Sequence, residues 1–241
     1  GRGMWGGGGL AGEAAVPKTL LQLILKKEKK NNNETHPVHR RKGFGGQNPP
    51  LEPSERKRPK VGWLNRANTV AELPALLDGV DFVIHLAGVN RPQDPAEFAT
   101  GNTDLTQALA TAVADVALRT GKKVPVVYTS STQAERDNPY GQSKRAAEDA
   151  LFTLQRAHGV PVHVFRLPNV FGKWCKPNYN SAVATFCHHI ARDLPITVND
   201  PAAPVMLVYV DDVIALFVQI MDGADPALEA QGFATVAPQY T

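Results

Sequence analysis

The chain has 241 residues, 43% apolar and 20% charged, with a formal net charge of +3. These values suit an ordinary globular protein with room for one large α/β domain, alone or with an appendage. No apolar run approaches the roughly 20 residues a membrane-spanning helix needs, and two cysteines, Cys175 and Cys187, cannot make a disulfide framework, so a reducing cytoplasm is the expected location.

The charge is unevenly placed. Residues 1–60 hold 13 Lys/Arg against 5 Asp/Glu, whereas the remainder holds 13 against 18. A basic stretch can attract anionic partners. Here it lacks aromatic interleaving and any nucleic-acid motif, so a solvated or non-native leader is expected and no nucleic-acid partner. Within residues 1–36, Gly6 to Gly9, Lys26 to Lys30 and Asn31 to Asn33 are biased tracts that read as a poorly ordered leader. Pro49, Pro50, Pro53 and Pro59 oppose a regular helix over residues 37–60.

Order begins at Val61. Val61 to Leu64 reads as a short strand, Val70 to Leu77 as a helix and Phe82 to Leu86 as an apolar strand. Glu97 to Arg119 has helical periodicity, and Val124 to Tyr128 is another buried strand. Asn138 can cap a helix with Pro139 in its first turn, running to His158, and Val162 to Phe165 is the next strand. Strands alternating with helices predict an α/β fold: a doubly wound parallel sheet of Rossmann type over residues 37–241, with a small substrate-binding part near residues 169–241. Ligands then belong at the carboxyl ends of the strands.

The sharpest chemical signal is Tyr140-Gly141-Gln142-Ser143-Lys144, which puts a phenol and an ammonium on one helical face. A tyrosine ordinarily titrates near 10. A neighbouring ammonium favours the phenolate and lowers that value, while the phenol can still donate to a developing alkoxide. Ser130 and Ser131 end the preceding strand, where a hydroxyl can hold a substrate oxygen beside the phenol. His158, His163, His188 and His189 lack metal-binding spacing, so no metal is expected.

Together, His85-Leu86-Ala87-Gly88, Ser130-Ser131, Tyr140 to Lys144, Arg166 to Gly172 and Val210-Asp211-Asp212-Val213 resemble the extended short-chain dehydrogenase/reductases, the nucleotide-sugar epimerase/dehydratase family. More narrowly, HLAGVNRP, DNPYGQSK and RLPNVFGKWCKPNYNS resemble the capsular-polysaccharide UDP-sugar reductases, which join a reductase domain to a carboxyl-terminal cupin. The resemblance implies that Ser131 orients the sugar oxygen, Tyr140 is the acid, and Lys144 lowers the tyrosine's pKa and holds the nicotinamide ribose. It implies that Leu86, Ala87 and Gly88 line the dinucleotide, that Pro168 and Val170 flank the nicotinamide, and that Ser130 and Asn169 face the sugar nucleotide. Asn178 and Asn180 fall in a loop suited to the substrate, or serve simply as turn residues. Arg166 belongs to the motif or is a structural ion-pair partner. The family's implied reaction is reduction of a UDP-linked 4-keto-6-deoxy-N-acetylhexosamine in capsule or O-antigen precursor synthesis, by a homodimer packed through the helices of Glu97 to Arg119 and Asn138 to His158. The cupin and its epimerase step are expected to be absent from this polypeptide.

Cofactor choice has its own signal. Rossmann-type NAD sites place an acid after the second strand, while an arginine accommodates a 2′-phosphate. Asn65-Arg66 stands there without an acid, which favours NADPH, with NADH as the alternative. Gly43 and Gly46 match two glycines of the pyrophosphate-binding turn, but Arg40 stands where the first glycine belongs. Two other readings stay open, the second motivated by that departure. One is an epimerase or dehydratase with retained NAD(P), opposed by the absence of a carboxylate pair in Ser131-Thr132-Gln133-Ala134. The other is a non-catalytic dimerisation module of the same fold, opposed by the intact Ser131, Tyr140 and Lys144.

Overall fold

The computed structural model describes residues 22–26, 60–64, 68–90, 92–179, 181–198, 200–229 and 231–241. Five strands form the main sheet: β1 (Gln22–Lys26), β2 (Lys60–Leu64), β3 (Phe82–His85), β4 (Val126–Ser131) and β5 (Val162–Leu167), in the order β2-β1-β3-β4-β5. β3, β4 and β5 are parallel, with Val83 opposite Val126 and Val126 opposite Val162. β1 runs antiparallel to both its neighbours, so the sheet is mixed rather than wholly parallel. The parallel arrangement is compelled only where a packed helix carries the chain across the sheet. α3 (Leu105–Thr120) and α4 (Pro139–His158) do so for β3 to β5. β1 lies within the stretch read as a leader; the rest of residues 1–36 is outside the described residues.

The pleat divides the core in two. Val83, Val126, Tyr128, Val162 and Val164 point towards α3 and α4, where they meet Leu105, Leu109, Val113, Ala147 and Leu151. Phe82, Ile84, Val127 and Phe165 point the other way, onto α6 (Val210–Met221) through Val213, Phe217 and Ile220. Two-faced burial explains why these strands are continuous apolar runs. Each fully buried Leu or Phe contributes about 1.5–3 kcal/mol.

The two long helices are bounded by local chemistry. Asn138 Oδ1 accepts from Gly141 N at 2.8 Å at the start of α4, and Pro139 follows in its first turn. Gly121 and Gly159 end α3 and α4 in the left-handed conformation, with φ of 70° and 63°. The helical run expected from Glu97 begins instead as α2 (Ala96–Phe98), a π-helical turn (Ala99–Asp104) and then α3. Likewise, Val70 to Leu77 is a 3₁₀ turn followed by the short α1 (Leu73–Leu76).

A smaller sheet of β6 (Asn169–Phe171), β7 (Leu207–Tyr209) and β8 (Gln239–Tyr240) carries the chain beyond β5, with α5 (Ala182–Ile190) beside it. No helix among the described residues is long and apolar enough to cross a membrane.

Candidate active site

The carboxyl ends of β3, β4 and β5 open on a cavity of about 520 Å³. Its wall includes Leu86 and Gly88 after β3, Thr129, Ser130 and Ser131 of β4, Tyr140 and Lys144 of α4, and Pro168, Asn169 and Val170 after β5. A second cavity of about 620 Å³ lies on the side of the smaller sheet, lined by Asn178, Tyr179, Ser181, Thr185 and Phe186 among others. Asn90, Gln133, Tyr140 and Asn169 line both. Tyr140 therefore stands at the boundary between two chambers.

Gly141 makes this placement possible. A Cβ there would lie 2.3 Å from Arg136 O and 2.4 Å from Gln133 O, so the first turn of α4 sits directly on the turn after Ser131. That turn, Thr132–Glu135, starts with Ser131 Oγ accepting from Gln133 N at 3.2 Å. Phe98 packs against the Tyr140 ring, with centroids 5.6 Å apart.

Burial raises the Tyr140 phenol above its ordinary value, and a hydrogen bond with Ser131 opposes the rise. This reverses the direction expected from the Tyr-Lys spacing. Lys144 Nζ donates to Thr129 O at 2.9 Å and lies 4.5 Å above the Tyr128 ring. Lys144 is 3% exposed, and burial lowers its pKa to about 7, with Glu148 opposing. His85, stacked on Tyr128 at 4.8 Å, is lowered to about 3 by burial and by Lys144, so it is neutral.

The loop after β3 is held by Asn102, which the π-helical turn carries into the interior, a place where such turns often serve a site. A Cβ on Gly88 would come 3.1 Å from Asn102 Oδ1 and 3.3 Å from Lys144 Nζ, so a side chain here would press on both groups. Asn102 Nδ2 also donates to Ser143 Oγ at 2.9 Å, and Ser143 Oγ donates to Tyr140 O at 2.7 Å. Loop and α4 are thus joined through one buried amide.

The structure brings Ser131, Tyr140, Lys144, Leu86, Gly88, Pro168, Asn169 and Val170 to one cavity. Two expected residues face elsewhere. Ala87, between Leu86 and Gly88, turns its side chain inward and is 1% exposed in the core. Ser130 contributes to the wall, but its hydroxyl donates to the buried Glu148 carboxylate rather than to the cavity. Arg166 is an ion-pair partner, bonded to Glu148 and to Glu135. Asn178, in the left-handed region at φ 56°, lines the second cavity and is held by Thr185 and His189. Gly43, Gly46, Arg66 and Asn180 lie outside the described residues. Sequence reading missed Asn102, Glu148 and Phe98, whose partners are distant in the chain. Among the described residues, no group of three His, Cys, Asp or Glu could hold a metal ion.

Comparison with known proteins bears on this geometry. The "NAD dependent epimerase/dehydratase family" matches residues 6–231. A curated relative from Pseudomonas aeruginosa, "UDP-2-acetamido-2,6-beta-L-arabino-hexul-4-ose reductase", is 52% identical over 199 residues, covering 82% of this chain and 51% of that protein. The crystal structure of the capsular polysaccharide assembling protein CapF from Staphylococcus aureus is 41% identical with a TM-score of 0.55, over 70% of this chain and 43% of that one. UDP-glucuronic acid 4-epimerase from Bacillus cereus, solved with NAD, shares the fold at 20% identity and a TM-score of 0.57, covering 70% of this chain and 58% of that one. The chain spans about half the length of the curated reductase. With the matched region covering nearly all of its length, the chain belongs to the NAD-dependent epimerase/dehydratase family.

Proposed function

We propose that this chain carries out NADPH-dependent reduction of a UDP-linked 4-keto-6-deoxy-N-acetylhexosamine in the making of capsule or O-antigen sugar precursors. The observation that carries the reading is Tyr140 on the shared wall of two chambers, one lined by Lys144, Gly88 and Pro168 and the other by Asn178, Tyr179 and Ser181. The 52% identity to a protein described as a 4-keto UDP-sugar reductase, and the likeness to a capsular-polysaccharide protein, support the substrate class.

The narrower chamber fits the nicotinamide end of a dinucleotide, because Gly88 lines it without a side chain and Lys144 offers an ammonium where a ribose hydroxyl would lie. Bound there, the nicotinamide supplies hydride. The protein's part is proton and position. Ser131 holds the carbonyl oxygen, with the Tyr140 phenol beside it on the same cavity wall. A phenol raised by burial stays protonated near neutral pH, as an acid must before it donates to the forming alkoxide. Lys144, whose pKa burial lowers to about 7, would hold a ribose hydroxyl of the dinucleotide and return a proton through it to the Tyr140 phenolate. Elimination would need a carboxylate beside Ser131. The neighbours there are Thr132 and Gln133, and Glu135 is engaged by Arg166, which favours reduction over a dehydratase.

Arg66, from its place in the sequence, supports NADPH over NADH. The apolar and alanine-rich faces of α3 and α4 support a homodimer, and the thiols of Cys175 and Cys187 a reducing cytoplasm. The test is loss of NADPH absorbance with a 4-keto UDP-sugar. Turnover is expected, with kcat lowered about 10²–10⁴-fold in Tyr140→Phe. A Tyr140→Phe protein as fast as the parent would end the assignment.

A further inference from the structure

Ser130 and Arg166 face one another across the β4–β5 ladder, and Glu148 of α4 meets both. Its carboxylate accepts from Ser130 Oγ, from Arg166 Nε at 3.1 Å and from Arg166 Nη2 at 2.6 Å, with the Glu148 side chain 2% exposed. Arg166 Nη1 also reaches Glu135 Oε1 at 3.1 Å, in the turn that begins at Ser131, and the guanidinium lies 3.7 Å from the Phe233 ring centroid. The network therefore ties the end of β4, the turn after it, α4 and the end of β5 to one carboxylate. Ser131 lies between two of the tied points, Ser130 and Glu135. Lys144 lies one helical turn before Glu148 on the same face.

Stability alone gives a poor reason for such a device. A buried ion pair is often no better than apolar residues of the same volume, because taking both charges out of water cancels their attraction. Resting on the reductase reading, we propose that Glu148 is a positioning residue: its carboxylate fixes Ser131 relative to α4 and sets a negative charge one turn from Lys144. The groups around the Lys144 ammonium are the Thr129 carbonyl, the Tyr128 ring and neutral His85, with Tyr140 one turn before it. Glu148 is the anion opposing the burial of that ammonium, while Arg166 and Glu135 stand on its far side.

The test is titration of Lys144 in the whole chain by ¹³C-lysine NMR, assigned by loss of its signal in Lys144→Met, beside steady-state kinetics. Glu148→Gln is expected to lower the Lys144 midpoint by about one pH unit and kcat by roughly tenfold or more, as small misplacements of reacting groups do. Glu148→Asp keeps the charge but is too short to reach Ser130, so the midpoint should stay and kcat should still fall. An unmoved midpoint and kcat in Glu148→Gln would overturn the proposal. So would unaltered kcat in Glu148→Asp, which serves as the deciding variant if Glu148→Gln does not fold. The NMR titration needs no substrate. A shifted Lys144 in a protein whose parent shows no turnover would support the role of Glu148 while refuting the reductase reading.

Discussion

Asn102 closes both backbone groups of Val89: its Oδ1 accepts from Val89 N at 2.8 Å, and its Nδ2 donates to Val89 O at 3.0 Å. Both residues are buried, so neither backbone group has water as an alternative. Replacing Asn102 by Leu leaves two orphaned polar groups, each costing about 1–3 kcal/mol. Asn102→Leu should lower stability by about 3 kcal/mol, read by chemical denaturation. It should also weaken NADPH binding in calorimetry, because the loop carrying Gly88 loses its anchor.

Gly141→Ala tests the seating of α4. The added methyl meets backbone oxygens on Gln133 and Arg136, which cannot swing aside as a side chain would. Overpacking of this kind costs about 1–3 kcal/mol or more. Thermal unfolding should show that loss, and kcat should fall because Tyr140 is displaced from Ser131. Full activity in Gly141→Ala would contradict the seating.

The extent to which this arrangement is legible in sequence differs from residue to residue. α4 runs from Pro139 to His158 as expected, since Asn138-Pro139 and Gly159 mark its ends by chemistry confined to a few residues. Tyr140 and Lys144 are legible for the same reason, being one turn apart. The π-helical turn at Ala99–Asp104 is hidden, because hydrophobic periodicity does not separate it from the helix that follows. Glu148 and Asn102 are illegible as site residues because their partners are 18 and 13 residues away and only the folded sheet brings them together. The rise of the Tyr140 pKa is likewise a property of burial, which spacing does not report.

His85 gives a pH prediction. Its folded pKa of about 3 is depressed from 6.5, so between those values the unfolded chain binds a proton that the folded one does not. Stability from this residue is present above pH 6.5 and is lost as the pH falls towards 3, by up to about 4 kcal/mol. The Thr106 hydroxyl donates to Asn102 O at 2.6 Å, so at His85 Nε2, 2.8 Å away, it accepts, which assigns the proton to Nε2. His85→Gln should flatten the fall in Tm between pH 6.5 and pH 4 relative to the parent protein.

Lys144 has the same sense in a higher pH window. Its pKa falls from 10.5 to about 7 on folding, so its burial penalty is fully felt below pH 7 and is relieved as the pH rises from about 7 towards 10.5. The difference in stability between Lys144→Met and the parent should therefore shrink over that interval, as measured by urea midpoints. If Lys144 must be charged for turnover, activity should decline with a midpoint near pH 7, and Lys144→Met should abolish that limb.

On the reductase reading, a phenol, an alcohol and an ammonium serve hydride delivery to a sugar carbonyl. The most direct measurement is isotopic: NADPH carrying deuterium at carbon four of the nicotinamide, with mass spectrometry and NMR of the sugar nucleotide formed. One deuterium is expected at the reduced carbon for each NADPH consumed, with near-disappearance of that signal on the timescale of the assay in Tyr140→Phe. Sugar nucleotide converted with the NADPH unspent, or formed without deuterium at that carbon, would contradict it.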